Sequence, residues 1–133
     1  ARDAVAAFRA LDSLPDLDAS RRYMLGHSMG GLVTLAALGD LGVDVAAASI
    51  WSSMALPENS PELAGIDVPL LVQHAAGDAT TAASGSQIIA EQWRARGGRV
   101  ELYLYACDDH LFTGEHFEQA IARDLQWFER RSP

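Results

Sequence analysis

The stretch Arg22-Tyr23-Met24-Leu25-Gly26-His27-Ser28-Met29-Gly30-Gly31, continuing into Leu32-Val33-Thr34-Leu35-Ala36-Ala37-Leu38, decides how the rest of the chain is read. A short apolar run enters Gly26-His27-Ser28-Met29-Gly30 and an unbroken apolar run leaves it. That is strand, sharp turn, helix, the context a G-x-S-x-G turn requires. The glycines have a steric reason: the turn brings two backbones together, and a Cβ at Gly26 or Gly30 is expected to collide. Ser28 then projects past the C-terminal end of the strand, at the start of the helix. The first N–H groups of that helix, Met29's among them, have no partner inside it and point where charge on an oxyanion would develop.

Working outward, Ala1 to Leu11 reads as a helix with Val5, Phe8 and Leu11 on one face, ended by Pro15. Tyr23 to Gly26 is the first strand, and the helix from Met29 runs to Leu41, stopped at Gly42. Val45 to Trp51, nearly all apolar, reads as a second, buried strand. A loop with Pro57 and Pro61 leads to a third strand, Pro69 to His74. A helix from Ser84 to Arg96 has Ile88, Ile89 and Trp93 inward and closes at Gly97-Gly98. Arg99 to Tyr105 is the fourth strand, and Glu115 to Arg130 a last helix with Phe117, Ile121, Leu125 and Phe128 at helical spacing. The alternation predicts an α/β fold: a three-layer sandwich around a short parallel sheet of about four strands, residues 1–133 forming one domain.

The formal charge of −8 argues against nucleic acid or an anionic membrane as partner. All the basic residues are arginine. One cysteine, Cys107, excludes an intrachain disulfide and a four-cysteine metal site. The scattered histidines lack zinc-ligand spacing and no G-x-G-x-x-G is present, so neither metal nor dinucleotide cofactor is expected. No apolar run approaches the roughly 18 residues of a membrane span. No secretory leader is visible, so a cytoplasmic location is expected, although the chain begins at Ala1 rather than methionine.

In a parallel sheet, reactive groups gather beyond the strands' carboxyl ends. Ser28 follows the first strand. Asp78 follows the third, in His74-Ala75-Ala76-Gly77-Asp78, and His110 follows the fourth, in Cys107-Asp108-Asp109-His110-Leu111-Phe112. A serine hydroxyl needs a base to take its proton, and an imidazole titrates in the right range to take and return it. A buried carboxylate would hold the imidazole in one tautomer. Asp108 and Asp109 compete with Asp78 for that part, but adjacency to His110 in sequence disfavours the needed geometry. His27 is the variable residue of the turn, His74 a structural strand end, His116 a solvent-facing helix start, and Cys107 a small strand-end residue.

With these residues in the order Ser, Asp, His, the chain resembles the α/β-hydrolase superfamily, in particular its prolyl-oligopeptidase-like and dienelactone-hydrolase-like branches. Asp18-Ala19-Ser20-Arg21-Arg22, the Gly26 to Gly31 turn, Ile66-Asp67-Val68-Pro69, His74 to Asp78 and Tyr105 to His110 carry the likeness. It spans essentially the whole chain but only the later half of the family's fold, and implies a truncated α/β-hydrolase domain. The loop that gives the second oxyanion N–H in the family has no counterpart here. Where usual members have Val-Pro after the acid, this chain has Thr81-Ala82.

The resemblance implies a serine hydrolase acting through an acyl-enzyme. Ser28 would be the nucleophile, His110 the base, Asp78 the orienting acid and Met29 N–H the oxyanion donor. Small carboxylic esters are the expected substrates. The alternatives are a catalytic fragment of a prolyl-oligopeptidase-like peptidase, or a non-catalytic association module. Because strands flanking the first one would be missing, its open edge predicts a homodimer or higher homo-oligomer.

Overall fold

A computed structural model describes residues 1–39, 41–57 and 66–131. Pro61, in the expected loop, lies outside the described residues. The described residues form one sheet of four parallel strands, in the order β1 (Tyr23–His27), β2 (Ala47–Trp51), β3 (Leu70–Ala75) and β4 (Val100–Tyr105). Tyr23 stands beside Ala47, Ala48 beside Leu70, and Leu70 beside Val100. The central strands β2 and β3 are buried along their whole length, because both of their faces carry a layer.

Side-chain alternation sorts the strands into two faces. Met24, Ala48, Ile50, Leu70, Val72, Val100 and Leu102 join one core with residues of α1 (Arg2–Ala10), α2 (Met29–Leu38) and α3 (Ala83–Ala95). Tyr23, Ala47, Leu71 and Tyr103 face the other way, onto α4 (Glu115–Glu129) with its Trp127 and Phe128. The strands are taken in chain order, so right-handed crossovers put α2 and α3 on the same side, and α4, with no strand after it, crosses to the other.

Four expectations are corrected in detail. Helix α2 ends at Leu38, not Leu41: Gly39 caps it, and Leu41 and Val43 N–H reach back to the carbonyls of Ala36 and Ala37 while Gly42 takes φ +60°. On α3 the buried stripe is Gly85, Ser86, Ile89, Ala90 and Trp93, and Ile88, one step round the helix, is exposed. On α1 Val5 is buried and Phe8 half-buried, but Leu11 falls in the exposed 3₁₀ turn that follows. The buried stripe of α4 is Ala120, Asp124 and Trp127, and the helical series Phe117, Ile121 and Leu125 faces outward, Leu125 at 59% exposure.

The outward stripe has a physical reason. Asp124 accepts a hydrogen bond from Gln73 Nε2 of β3 at 2.9 Å, and the same amide reaches the Ala120 carbonyl at 3.1 Å. That tether and the large Trp127 ring select the helix face that packs on the sheet. No described helix is long and apolar enough to cross a membrane.

Candidate active site

The turn after β1 is strained at one residue. Ser28 has φ 54° and ψ −120°, a backbone region L-residues rarely enter, and it is the N-cap residue of α2. The ladder holds it there: Ser28 N–H donates to the Trp51 carbonyl of β2 at 2.8 Å, and Gly31 N–H to the Ser28 carbonyl at 2.9 Å. The close approach falls on Gly26, where a Cβ would lie 2.1 Å from the Gly30 carbonyl oxygen. The expected collision at Gly30 itself is absent, since a Cβ there meets nothing within 4 Å, and Gly31, whose Cβ would meet Ser53, is the second constrained position. Met29, whose N–H opens α2, has an exposed side chain.

Asp78 ends the turn after β3 and is buried. Its Oδ1 accepts Thr80 N–H at 2.8 Å and Thr81 N–H at 3.0 Å, so the loop backbone wraps the carboxylate. Its Oδ2 lies 2.6 Å from His110 Nδ1. A carboxylate only accepts, so Nδ1 carries the proton and neutral His110 keeps its lone pair on Nε2. Burial pushes the Asp78 carboxyl up, but the bonds from His110, Thr81 and Thr80 outweigh it and hold the group well below the ordinary carboxylate range.

Asp78 and His110 are thus brought together directly. Ser28 stands two strands away from β3, beyond the same carboxyl end of the sheet, and its hydroxyl makes no hydrogen bond among the described residues. Asp108 and Asp109 are not part of the pair. Asp109 instead braces its own loop, accepting Leu111 N–H at 3.0 Å and Thr113 N–H at 2.7 Å. Cys107 packs beside the cluster of Trp51, Tyr105 and Phe112. His116 is half-buried rather than solvent-facing, edge-on to Tyr105.

Three residues around the pair were not singled out for it by the sequence. His27 Nε2 lies 2.8 Å from the His110 carbonyl and must be its donor. His74, fully buried, has Nε2 at 3.0 Å from the Thr81 carbonyl and 3.2 Å from Asp78 Oδ2, and Nδ1 at 2.7 Å from Ser86 Oγ. Thr81 Oγ1 lies 3.0 Å from Asp78 Oδ2 and 2.9 Å from the Ser52 carbonyl. The only sequence signal was their nearness in the chain to Ser28 and Asp78. Among the described residues no group of three or more histidine, cysteine or acidic side chains could hold a metal ion.

The model of the dienelactone hydrolase family matches residues 1–130. No curated protein matches the chain significantly. Among solved structures, an alpha/beta hydrolase enzyme from a Medee basin deep-sea metagenome library superposes with TM-score 0.83 at 13% identity, over 97% of this chain and 62% of that one. The esterase domain of a Rhodothermus marinus protein gives TM-score 0.69 at 16% identity, over 97% and 66%. Dipeptidyl peptidase 4 of Porphyromonas gingivalis gives 0.79 at 18% identity, over 97% and 22%. The chain therefore spans less than two thirds of these structures' length, and at such identities the likeness is one of fold: α/β, with a parallel sheet between helices.

Proposed function

The chain belongs to the dienelactone hydrolase family, and on that premise we propose that it is a serine hydrolase cleaving small carboxylic esters through an acyl-enzyme. The observation that carries this reading is the 2.6 Å contact between His110 Nδ1 and Asp78 Oδ2, formed beyond the same sheet end as the strained Ser28.

In this reading Ser28 Oγ attacks the ester carbonyl while His110 Nε2 takes its proton. Asp78 holds the tautomer and offsets the charge of the imidazolium. Met29 N–H, at the positive end of α2, donates to the oxyanion. Collapse of the tetrahedral intermediate expels the alcohol, which takes the proton from His110. Water, deprotonated by the same nitrogen, then releases the acid and frees Ser28. Small substrates suit a Ser28 that is only half-buried and neighbours the exposed Met29.

The test is labelling with a fluorophosphonate probe, mapped by mass spectrometry, beside turnover of short p-nitrophenyl esters. Labelling confined to Ser28 and lost in Ser28→Ala is expected. Absence of both labelling and turnover would overturn the reading in favour of an association module, and turnover of aminoacyl amides in preference to esters would move it to a peptidase.

A further inference from the structure

Behind the Asp78–His110 contact lies a second, fully enclosed layer of polar groups. Asp78 Oδ2 has three neighbours in hydrogen-bonding range: His110 Nδ1 at 2.6 Å, Thr81 Oγ1 at 3.0 Å and His74 Nε2 at 3.2 Å. Thr81 is buried, and its Oγ1 stands at the centre of the group, 2.9 Å from the Ser52 carbonyl, 3.3 Å from His110 Nδ1 and 3.4 Å from His74 Nε2. Ser52, the supplier of that carbonyl, is itself buried and held at φ 46° immediately after β2.

The donors can be assigned from valence alone. The Thr81 carbonyl only accepts, so His74 carries a proton on Nε2; with the ring neutral, its Nδ1 accepts from Ser86 Oγ. His74 Nε2–H is then shared between the Thr81 carbonyl and Asp78 Oδ2. The one Thr81 hydroxyl proton is shared between the Ser52 carbonyl and Asp78 Oδ2. Each donor directed at Oδ2 draws electron density from the oxygen that receives His110.

We infer that Thr81 is a positioning residue whose hydroxyl sets how strongly Asp78 holds the His110 proton, with His74 and Ser86 backing the carboxylate from the other side. This rests on the serine hydrolase reading for its consequence in catalysis, but the coupling of Thr81 to His110 exists whether or not the chain turns over an ester. A carboxylate relieved of one donor is a stronger acceptor and stabilises the imidazolium more. Removing the Thr81 hydroxyl therefore makes His110 release its proton at higher pH.

Thr81→Val keeps the branched shape and replaces the whole hydroxyl, donor and acceptor together, by a methyl group, and Thr81→Ser keeps the hydroxyl and removes a methyl group. The titratable groups beside the pair, His74 on β3, His27 at the end of β1, and Asp109, which interacts electrostatically with His110 from its own loop, are the same in both variants. The readout is the titration midpoint of the His110 ring by NMR, together with the acid limb of kcat/KM on a p-nitrophenyl ester. Thr81→Val is expected to move both upward by about half a pH unit, and Thr81→Ser to stay at the wild-type position even if its Tm falls.

A Thr81→Val protein with lower Tm but an unmoved His110 midpoint would make Thr81 merely structural and overturn the inference. A midpoint that moves equally in Thr81→Ser would overturn it too. A wild type that is inactive while the His110 midpoint still moves in Thr81→Val alone would sink the hydrolase reading and leave this coupling standing.

Discussion

The imidazole of His27 sits edge-on to that of His110, ring centroids 4.8 Å apart, and donates to the His110 carbonyl at 2.8 Å. The variable residue of the turn thus ties the strand that carries Ser28 to the loop that carries the proposed base, 83 residues later in the chain. His27→Ala should loosen that loop and lower kcat by about tenfold with KM nearly unchanged, since a misplaced base costs the transition state more than it costs binding. Steady-state kinetics on a p-nitrophenyl ester decide it, and a change confined to KM would count against the tie.

Ser28→Ala and His110→Ala should each remove nearly all ester turnover. Asp78→Asn should retain more and still lose orders of magnitude, because its amide no longer enforces the tautomer. Asp109→Asn should leave kcat within a few-fold, as Asp109 serves its own loop. The reverse ranking of Asp78 and Asp109 would show that the acid is misassigned.

Asp124 offers a stability test. Burial pushes its carboxyl up to about 6, against the lowering influence of Ser49, Trp51 and Gln73. Its Oδ2, like Ser49 Oγ and Trp51 Nε1, has no hydrogen-bond partner of good geometry among the described residues. A folded-state value raised above the unfolded one means that the contribution to stability is full below about pH 4 and is lost as pH rises through about 6. Asp124→Asn keeps the acceptor for Gln73 and removes the charge. Its advantage over wild type should grow by about 2 kcal/mol from pH 4.5 to 7.5 in urea unfolding, whereas an advantage independent of pH would rule out the buried charge as its source.

The glycines of the turn should separate cleanly. Gly26→Ala drives a Cβ against the Gly30 backbone and should cost several kcal/mol or prevent folding. Gly30→Ala meets open space and should stabilise α2 by up to about 1 kcal/mol. Thermal melts of the two variants test this, and equal losses would contradict the asymmetry.

Among the described residues β1 pairs with β2 alone, and its other side carries the last expectation. The Arg22 carbonyl and the Ser28 N–H are spent on β2, so by alternation Leu25 and His27 turn their backbone groups away from β2. Leu25 is 46% exposed, with Leu125 and Phe128 near one face of the edge and Phe8, Leu11 and Leu17 on the other. We propose that a second copy covers this edge. Light scattering should give a mass above the 14.3 kDa of one chain, returned to that value by Leu25→Arg. A wild-type mass of one chain at micromolar concentration would refute it.

Much of this was legible because strand and helix periods are local. The four strands and four long helices fall within a few residues of where apolar runs and breakers put them. What periodicity could not reveal was which of two apolar stripes on α4 meets the sheet. Ala120, Asp124 and Trp127 look weaker than Phe117, Ile121 and Leu125, and the choice rests on a hydrogen bond to Gln73 from 51 residues earlier. The same limit hid Thr81. Its hydroxyl matters only because the fold brings the Ser52 carbonyl and Asp78 to it, and neither partner can be inferred from a threonine in a loop.

The strands of this sheet lie side by side in the order in which they are synthesised. Each new strand needs only the one made just before it, so no gap must be held open for a later arrival and each loop closure is short. These strands can therefore pair one by one behind an emerging chain, with Ser28's turn organised before His110 is delivered. The reactive pair closes only when the fourth strand docks, so a chain halted before β4 would carry a formed turn and no base.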